Sequence, residues 1–295
     1  MANTLLINPS ELNLLHTLTP GQAFRWRMDA DGRWTGVVRG RIMRIWQEET
    51  EVKYEIFPNA SDEDLLCRYF RLEVCLARLY ADFIRADERL KKIIERFKGL
   101  RVLQQEPEET LFSYICSTAN SISRIVSAIE AISSRYGERI ANLDGVDYYS
   151  FPSAEAIARA DPNELAEIAG LGFRAANLHS VARQILDRPN GWLNSLKEAS
   201  YEEARRELLA IRGVGLKIAD CVLLFSLGKD QAFPVDTHIY NVAVKYYMLE
   251  LRGKSLTPRI YQHIVDYFQA KFGAFAGWAQ EYLYYDDLIS ERPQK

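Results

Sequence analysis

The stretch ELLAIRGVGLKIADCVLLFSLG, residues 207–228, decides the fold. Its apolar residues recur at helical spacing on both sides of Gly213, Val214 and Gly215. A helix from about Tyr201 to Ile211 meets a two-glycine turn, and a second helix begins near Leu216. The glycines allow positive φ and leave backbone N–H groups open. Val214 plugs the apolar gap between the helices. Open N–H groups and the dipole of the second helix make a phosphate site that needs no basic side chain. An ordinary helical hairpin has the same pattern, so this stretch alone leaves DNA binding open.

The surrounding sequence extends the helical reading. Ser200-Tyr-Glu-Glu203 is a capping box ahead of the first hairpin helix. Pro107 and Pro162 sit where first-turn prolines belong, the latter behind Asp161 as cap, and Thr257-Pro258 opens another helix. Ser61 with Asp62, Glu63 and Asp64 reads as a helix start. Helix is therefore expected to follow helix to the end. Before it, RWTGVVRGRIMRIWQ (33–47) and EVKYEIFP (51–58) alternate apolar and polar residues, as strands do, to roughly Pro58. Trp26, Trp34 and Trp46 are assigned to the core of that part. The expected fold class is α+β: an N-terminal antiparallel β unit joined to a mainly helical body containing a helix-hairpin-helix. The expected division is residues 1–100 and 101–295, with the hairpin near 201–228. A short echo links IAGLGFRAA (168–176) to IRGVGLKIA (211–219). Gly170, Gly172 and Arg174 there match Gly213, Gly215 and Lys217, which suggests two related turns.

Bulk properties narrow the function. The 295 residues carry 37 Lys plus Arg against 40 Asp plus Glu, a net charge of −3. That balance does not suit a protein that coats DNA electrostatically, so any DNA contact must be local. No run of about 18 apolar residues suggests a membrane span. The N-terminus lacks the basic region of a secretory signal. Cys67, Cys75, Cys116 and Cys221 have no CxxC pairing and no metal-ligand spacing. A reduced, intracellular setting is expected, with the chain as a monomer, and no ligand set for zinc or an iron–sulfur cluster is visible.

Lys217 falls in the first turn of the second hairpin helix. A cation there faces the like-signed end of the helix dipole, and the neutral amine is the nucleophilic form. Taken alone, a surface lysine explains it as well. Asp236 lies 19 residues later, in FPVDTHIYNVAVKYY (233–247). Its simplest role is an N-cap. Near Lys217, the same carboxylate would also stabilise positive charge on a sugar as its base departs, or help manage the lysine proton.

At these residues the chain resembles the helix-hairpin-helix DNA glycosylase superfamily. More narrowly, it resembles the 8-oxoguanine DNA glycosylases of the eukaryotic type. The resemblance runs through GQAFRWR, RYFRLEVCLARLY, YICSTANSISRI, GLGFRAA, SYEEA, the hairpin, PVDTH and AGWAQEYLYYDDL. It implies a bifunctional DNA glycosylase and abasic-site lyase of base-excision repair, acting on double-stranded DNA without a cofactor. Lys217 matches the nucleophile that forms a Schiff base and permits β-elimination, and Asp236 matches the essential carboxylate. Cys221 matches a residue lying against the flipped base, and Gln280 one that bonds its pairing edge. Tyr284 stands where the family stacks a Phe. His238 and Asp287 match a pair that shapes the pocket. Without the resemblance, helix packing accounts for Cys221, Gln280 and Tyr284 equally well.

Gly21 matches a glycine whose carbonyl faces N7 of the base. Oxidation at C8 turns N7 from an acceptor into an N–H donor, so normal guanine would meet that carbonyl with a lone pair. The mismatch costs on the order of 1–3 kcal/mol. The base must leave the helix for this chemistry. Arg124 and Arg174 match the arginines that donate to the orphan cytosine, and Phe173 replaces a wedging Tyr. Ala119 occupies the position of the family's gap-filling Asn, and Asn120 follows out of register. Preference for cytosine opposite the lesion is left open by that departure.

Two other functions compete. A glycosylase for alkylated or mispaired bases is disfavoured by Lys217, which monofunctional members lack. A non-catalytic hairpin module needs neither Lys217 with Asp236 nor the β unit.

Overall fold

A computed structural model describes residues 2–58, 62–168 and 171–290. Among them, β1 (Asn3–Leu6), β2 (Trp26–Met28), β3 (Trp34–Val38), β4 (Arg41–Gln47) and β5 (Glu51–Phe57) form one antiparallel sheet. The order is β1-β5-β4-β3-β2. Side-chain alternation fixes its buried face. Val52, Tyr54 and Ile56 of β5 are buried, and the residues between them are not. Met43 and Ile45 obey the same rule on β4. Trp26 and Trp34 lie in that core, as expected. Trp46 does not. It follows Ile45 by one residue, so the pleat turns it to the opposite face. There its indole N–H donates to Glu48 Oε1 at 3.3 Å and Arg33 lies over the ring at 4.8 Å.

Capping chemistry sets the helix starts. Asp62 accepts from Leu65 N, Asp161 from Asn163 N and Thr257 from Ile260 N. Ser200 and Glu203 form the reciprocal capping box. Ser61 and Gly170 lie outside the described residues. The expectation of unbroken helix is overturned between Arg139 and Tyr149. Here β6 (Arg139–Leu143) and β7 (Val146–Tyr149) form a two-stranded hairpin. Asp144-Gly145 turns it with φ of 53° and 83°, and two positive φ values in a row suit an Asp-Gly hairpin turn.

Two hydrophobic cores result. The sheet's core draws on residues between Leu12 and Phe70, with Leu103. The larger core runs from Leu76 to Tyr285 and includes Phe24. Arg101 joins the two. Its guanidinium is fully buried and donates to the carbonyls of Phe70 at 2.7 Å, Glu11 at 2.6 Å and Val74 at 2.5 Å, and to that of Arg71. A buried charge is tolerable only with such a set of acceptors. Among the described residues, no helix is long and apolar enough to cross a membrane.

The central hairpin comprises helices Tyr201–Leu209 and Leu216–Ser226. Val214 is buried in the larger core. Only one of the two glycines has positive φ: Gly213 at 103°, while Gly215 is extended at −91°. A Cβ on Gly213 would lie 1.8 Å from Asn177 Oδ1, and Asn177 Nδ2 donates to the Gly213 carbonyl at 3.0 Å. Around Gly215 a Cβ meets nothing, so that side of the turn is open. Gly213→Ala should therefore destabilise the protein by at least about 1–2 kcal/mol, from left-handed backbone alone. Thermal denaturation reads that loss, and duplex binding should weaken with it. Gly215→Ala should melt close to wild type.

Candidate active site

One cavity of about 720 Å³ collects most of the chemically distinctive residues. It opens between the hairpin, the loop before β2, the loop 117–121 and the C-terminal helix Ala276–Ser290. Lys217, Asp236, Gly21, Cys221, Gln280, Tyr284, His238 and Asn120 line it, with Ala119. Gly213–Gly215, Arg124, Phe173, Arg174 and Asp287 are not part of its lining.

The second hairpin helix supplies Lys217 in its first turn and Cys221 one turn later. Its N-cap, Gly215, makes no side-chain cap bond, which leaves first-turn N–H groups for an anion. Gly172 precedes the helix Phe173–Leu186 in the same position, but with φ of 52° where Gly215 has −91°, so the echo between the two segments does not carry over to backbone conformation. Cys221 is 2% exposed. Burial pushes its thiol far up, against the pull of Lys217 and with the push of Asp236. It therefore stays a neutral thiol, which packs rather than attacks.

Asp236 is the N-cap of the helix Thr237–Tyr246. Its Oδ1 accepts from Ile239 N at 3.0 Å, which fixes the carboxylate at the cavity wall. Next on that helix, His238 Nδ1 and Asp287 Oδ2 are 2.9 Å apart. The Tyr284 ring meets the His238 ring edge-on at 5.4 Å. Asp287 thus sits behind the wall and orients His238.

Gln280 is 4% exposed. Its Nε2 donates to Pro234 O at 3.2 Å, and its Oε1 has no partner among the described residues. Gly21 has φ of 89°, and a Cβ there would lie 3.0 Å from Ile122 Cδ1. The positive φ favours glycine, and the Ile122 side chain would have to give way to any Cβ. The neighbouring Gln22 pins this loop. Its Nε2 donates to Thr17 O and Arg101 O, its Oε1 accepts from Leu103 N, and its carbonyl accepts from Gln105 Nε2. Sequence reasoning passed over Gln22, and nothing in its local pattern marks such a clamp.

Sequence reasoning also passed over Glu281. It is 2% exposed and lines the same cavity. Burial, with the Asp236 charge, raises its carboxyl to about 8. Next to Gln280 in sequence, it carries no local signal that sets it apart from other acidic residues on helices.

At the cavity edge, Phe173 is 69% exposed. Arg174 stacks on it at 4.5 Å and donates to Thr118 O at 2.6 Å and Ala119 O at 2.7 Å. Those bonds hold the 117–121 loop, where Ala119 takes φ of 48°. Asn120 bonds the Cys116 carbonyl at 3.2 Å, and Arg124 is exposed one turn into the next helix.

Similarity to known proteins covers nearly the whole chain. Residues 4–111 match the family described as 8-oxoguanine DNA glycosylase, N-terminal domain. Residues 112–266 match the HhH-GPD superfamily base excision DNA repair proteins. The N-glycosylase/DNA lyase OGG1 of Arabidopsis thaliana is 32% identical over 98% of this chain and 80% of its own length. The N-glycosylase/DNA lyase of Saccharomyces cerevisiae is 34% identical, over 96% of this chain and 85% of its own. The 8-oxoguanine glycosylase/lyase of Clostridium acetobutylicum is known in complex with double-stranded DNA containing cytosine opposite 8-oxoguanine. It superposes with a TM-score of 0.85 at 29% identity, covering 96% of this chain and 93% of that one.

Proposed function

The chain belongs to the 8-oxoguanine branch of the helix-hairpin-helix DNA glycosylases, which are DNA N-glycosylases and abasic-site lyases, and from that premise we propose that it excises 8-oxoguanine from duplex DNA through a Schiff base on Lys217. The observation that carries this reading is the convergence of Lys217 and Asp236 on the cavity that Gly21, Cys221, Gln280 and Tyr284 also line.

The hairpin N–H groups anchor a backbone phosphate, and Phe173 fills space as the lesion leaves the stack. The base enters between Cys221 and Tyr284. The Gly21 carbonyl accepts from the N7–H that only the oxidised purine carries, and Gln280 reads the pairing edge. Lys217 Nζ then attacks C1′ as the bond to the base breaks, and the base leaves with the electron pair. Asp236 stabilises the positive charge that develops on the sugar. Ring opening gives an iminium on Lys217. Loss of a C2′ proton expels the 3′-phosphate, which is the lyase step.

Discrimination at the opposite base rests on Arg124, Arg174 and the residue at 119. Asn tolerates positive φ better than Ala, so Ala119→Asn should cost no backbone strain. Release of 8-oxoguanine from duplexes pairing it with C, A, G or T tests this reading in both proteins. Wild type should release the oxidised base and leave guanine. Ala119→Asn should favour C over A several-fold more than wild type does. Release of guanine at a similar rate would contradict the assignment of Gly21.

A further inference from the structure

Two buried polar atoms, on residues that line the cavity, have no hydrogen-bond partner among the described residues: Gln280 Oε1 and Glu281 Oε1. Buried polar atoms are nearly always paired, and an unpaired one calls for a specific explanation. A carboxyl on an otherwise buried stretch of helix is costlier still, because an apolar side chain would pack there without the penalty. Ala276 through Leu283 are all buried. Both orphan atoms belong to residues that line the cavity, so a bound group can supply what the protein does not.

Resting on the reading of this cavity as the base pocket, we propose that Glu281 contacts the everted base, hydrogen-bonding an edge that sets an N–H donor beside a carbonyl. The surroundings fix which form of the carboxyl does so. Asp236 faces it from the cap of Thr237–Tyr246, and Cys221 from the second hairpin helix. Tyr114 faces it from the helix Pro107–Cys116. Burial first, and then the Asp236 charge, hold the carboxyl up to about 8. At pH 7 it is therefore neutral, with one O–H to donate and one C=O to accept. A lactam edge, N–H next to C=O, is its complement. Above about pH 8 the group becomes an anion beside Asp236 and loses its donor.

The test compares two reactions of the full-length protein. One is base release from a duplex with 8-oxoguanine opposite cytosine. The other is strand cleavage of the same duplex carrying a preformed abasic site, where no base occupies the pocket. Glu281→Met removes both hydrogen-bonding atoms at similar volume. It should lower base release at least tenfold more than abasic cleavage. Glu281→Gln keeps a neutral donor and acceptor and should recover most of that loss. Wild-type base release should fall about tenfold between pH 7 and 9, a fall that Glu281→Gln should not share. Equal loss of both reactions in Glu281→Met would overturn the base contact in favour of a packing role, as would no loss in either. Failure of Glu281→Gln to recover base release would also overturn it. Absence of abasic cleavage in wild type would instead remove the Lys217 reading, and the inference with it.

Discussion

Lys217→Gln is expected to lower base excision by roughly three orders of magnitude or more and to abolish strand cleavage. The nucleophile is lost, and no neighbour replaces it. Cys221 is the nearest candidate on the same helix face, but burial holds it as a thiol. A neutral thiol shut away from water is a poor substitute. The fold should survive, because Gln and Lys have similar helix propensity. Single-turnover release of 8-oxoguanine measures the effect, with thermal denaturation as the control. Retained cleavage at even a tenth of the wild-type rate would place the nucleophile elsewhere.

Asp236→Asn should slow excision by about 10²–10³-fold, the size of effect found when a preorganised electrostatic group is removed at a developing charge. The substitution is a clean probe because it keeps the cap while removing the charge of the proposed catalytic role. As N-cap it accepts from Ile239 N at 3.0 Å, and Asn caps a helix as well as Asp. Stability and lesion binding should therefore change little while the chemical step fails. Wild-type turnover in Asp236→Asn would remove the carboxylate from the mechanism and leave it as a cap.

The parts of this molecule written in local chemistry were legible in its sequence. Ser200 with Glu203, Asp161 with Pro162 and Thr257 with Pro258 each mark a helix start through a hydrogen bond spanning no more than three residues. The β5 alternation is equally local. The Gly-Val-Gly turn was legible in outline. Which glycine carries the positive φ was not, because Asn177, 36 residues upstream, crowds only Gly213. The β6–β7 hairpin had its signal in Asp144-Gly145, but a run of helical segments on both sides masked it. Trp46 shows the limit of composition, since its apolar ring reads as core while the pleat places it outside.

The site divides along the same line. Lys217 and Cys221 share one helix face by spacing alone. Gly21 and Gln280 come from distant segments, and only family resemblance pointed to them before the cavity brought them together with Asp236, which its place after the hairpin had already marked. Glu281 had no such pointer. An acid on a helix reads as solvent-facing, and its burial depends on elements distant in sequence, those that carry Tyr114, Cys221 and Asp236.

Attack of Lys217 on the sugar is the step on which the proposed reaction depends. Borohydride reduction during turnover of a duplex containing 8-oxoguanine tests it most directly, because it converts the iminium into a stable Nζ–C1′ bond. The expected result is a covalent protein–DNA adduct whose cross-link maps to Lys217 and which vanishes in Lys217→Gln. Base release and strand cleavage without any trapped adduct, or an adduct that persists in Lys217→Gln, would contradict it.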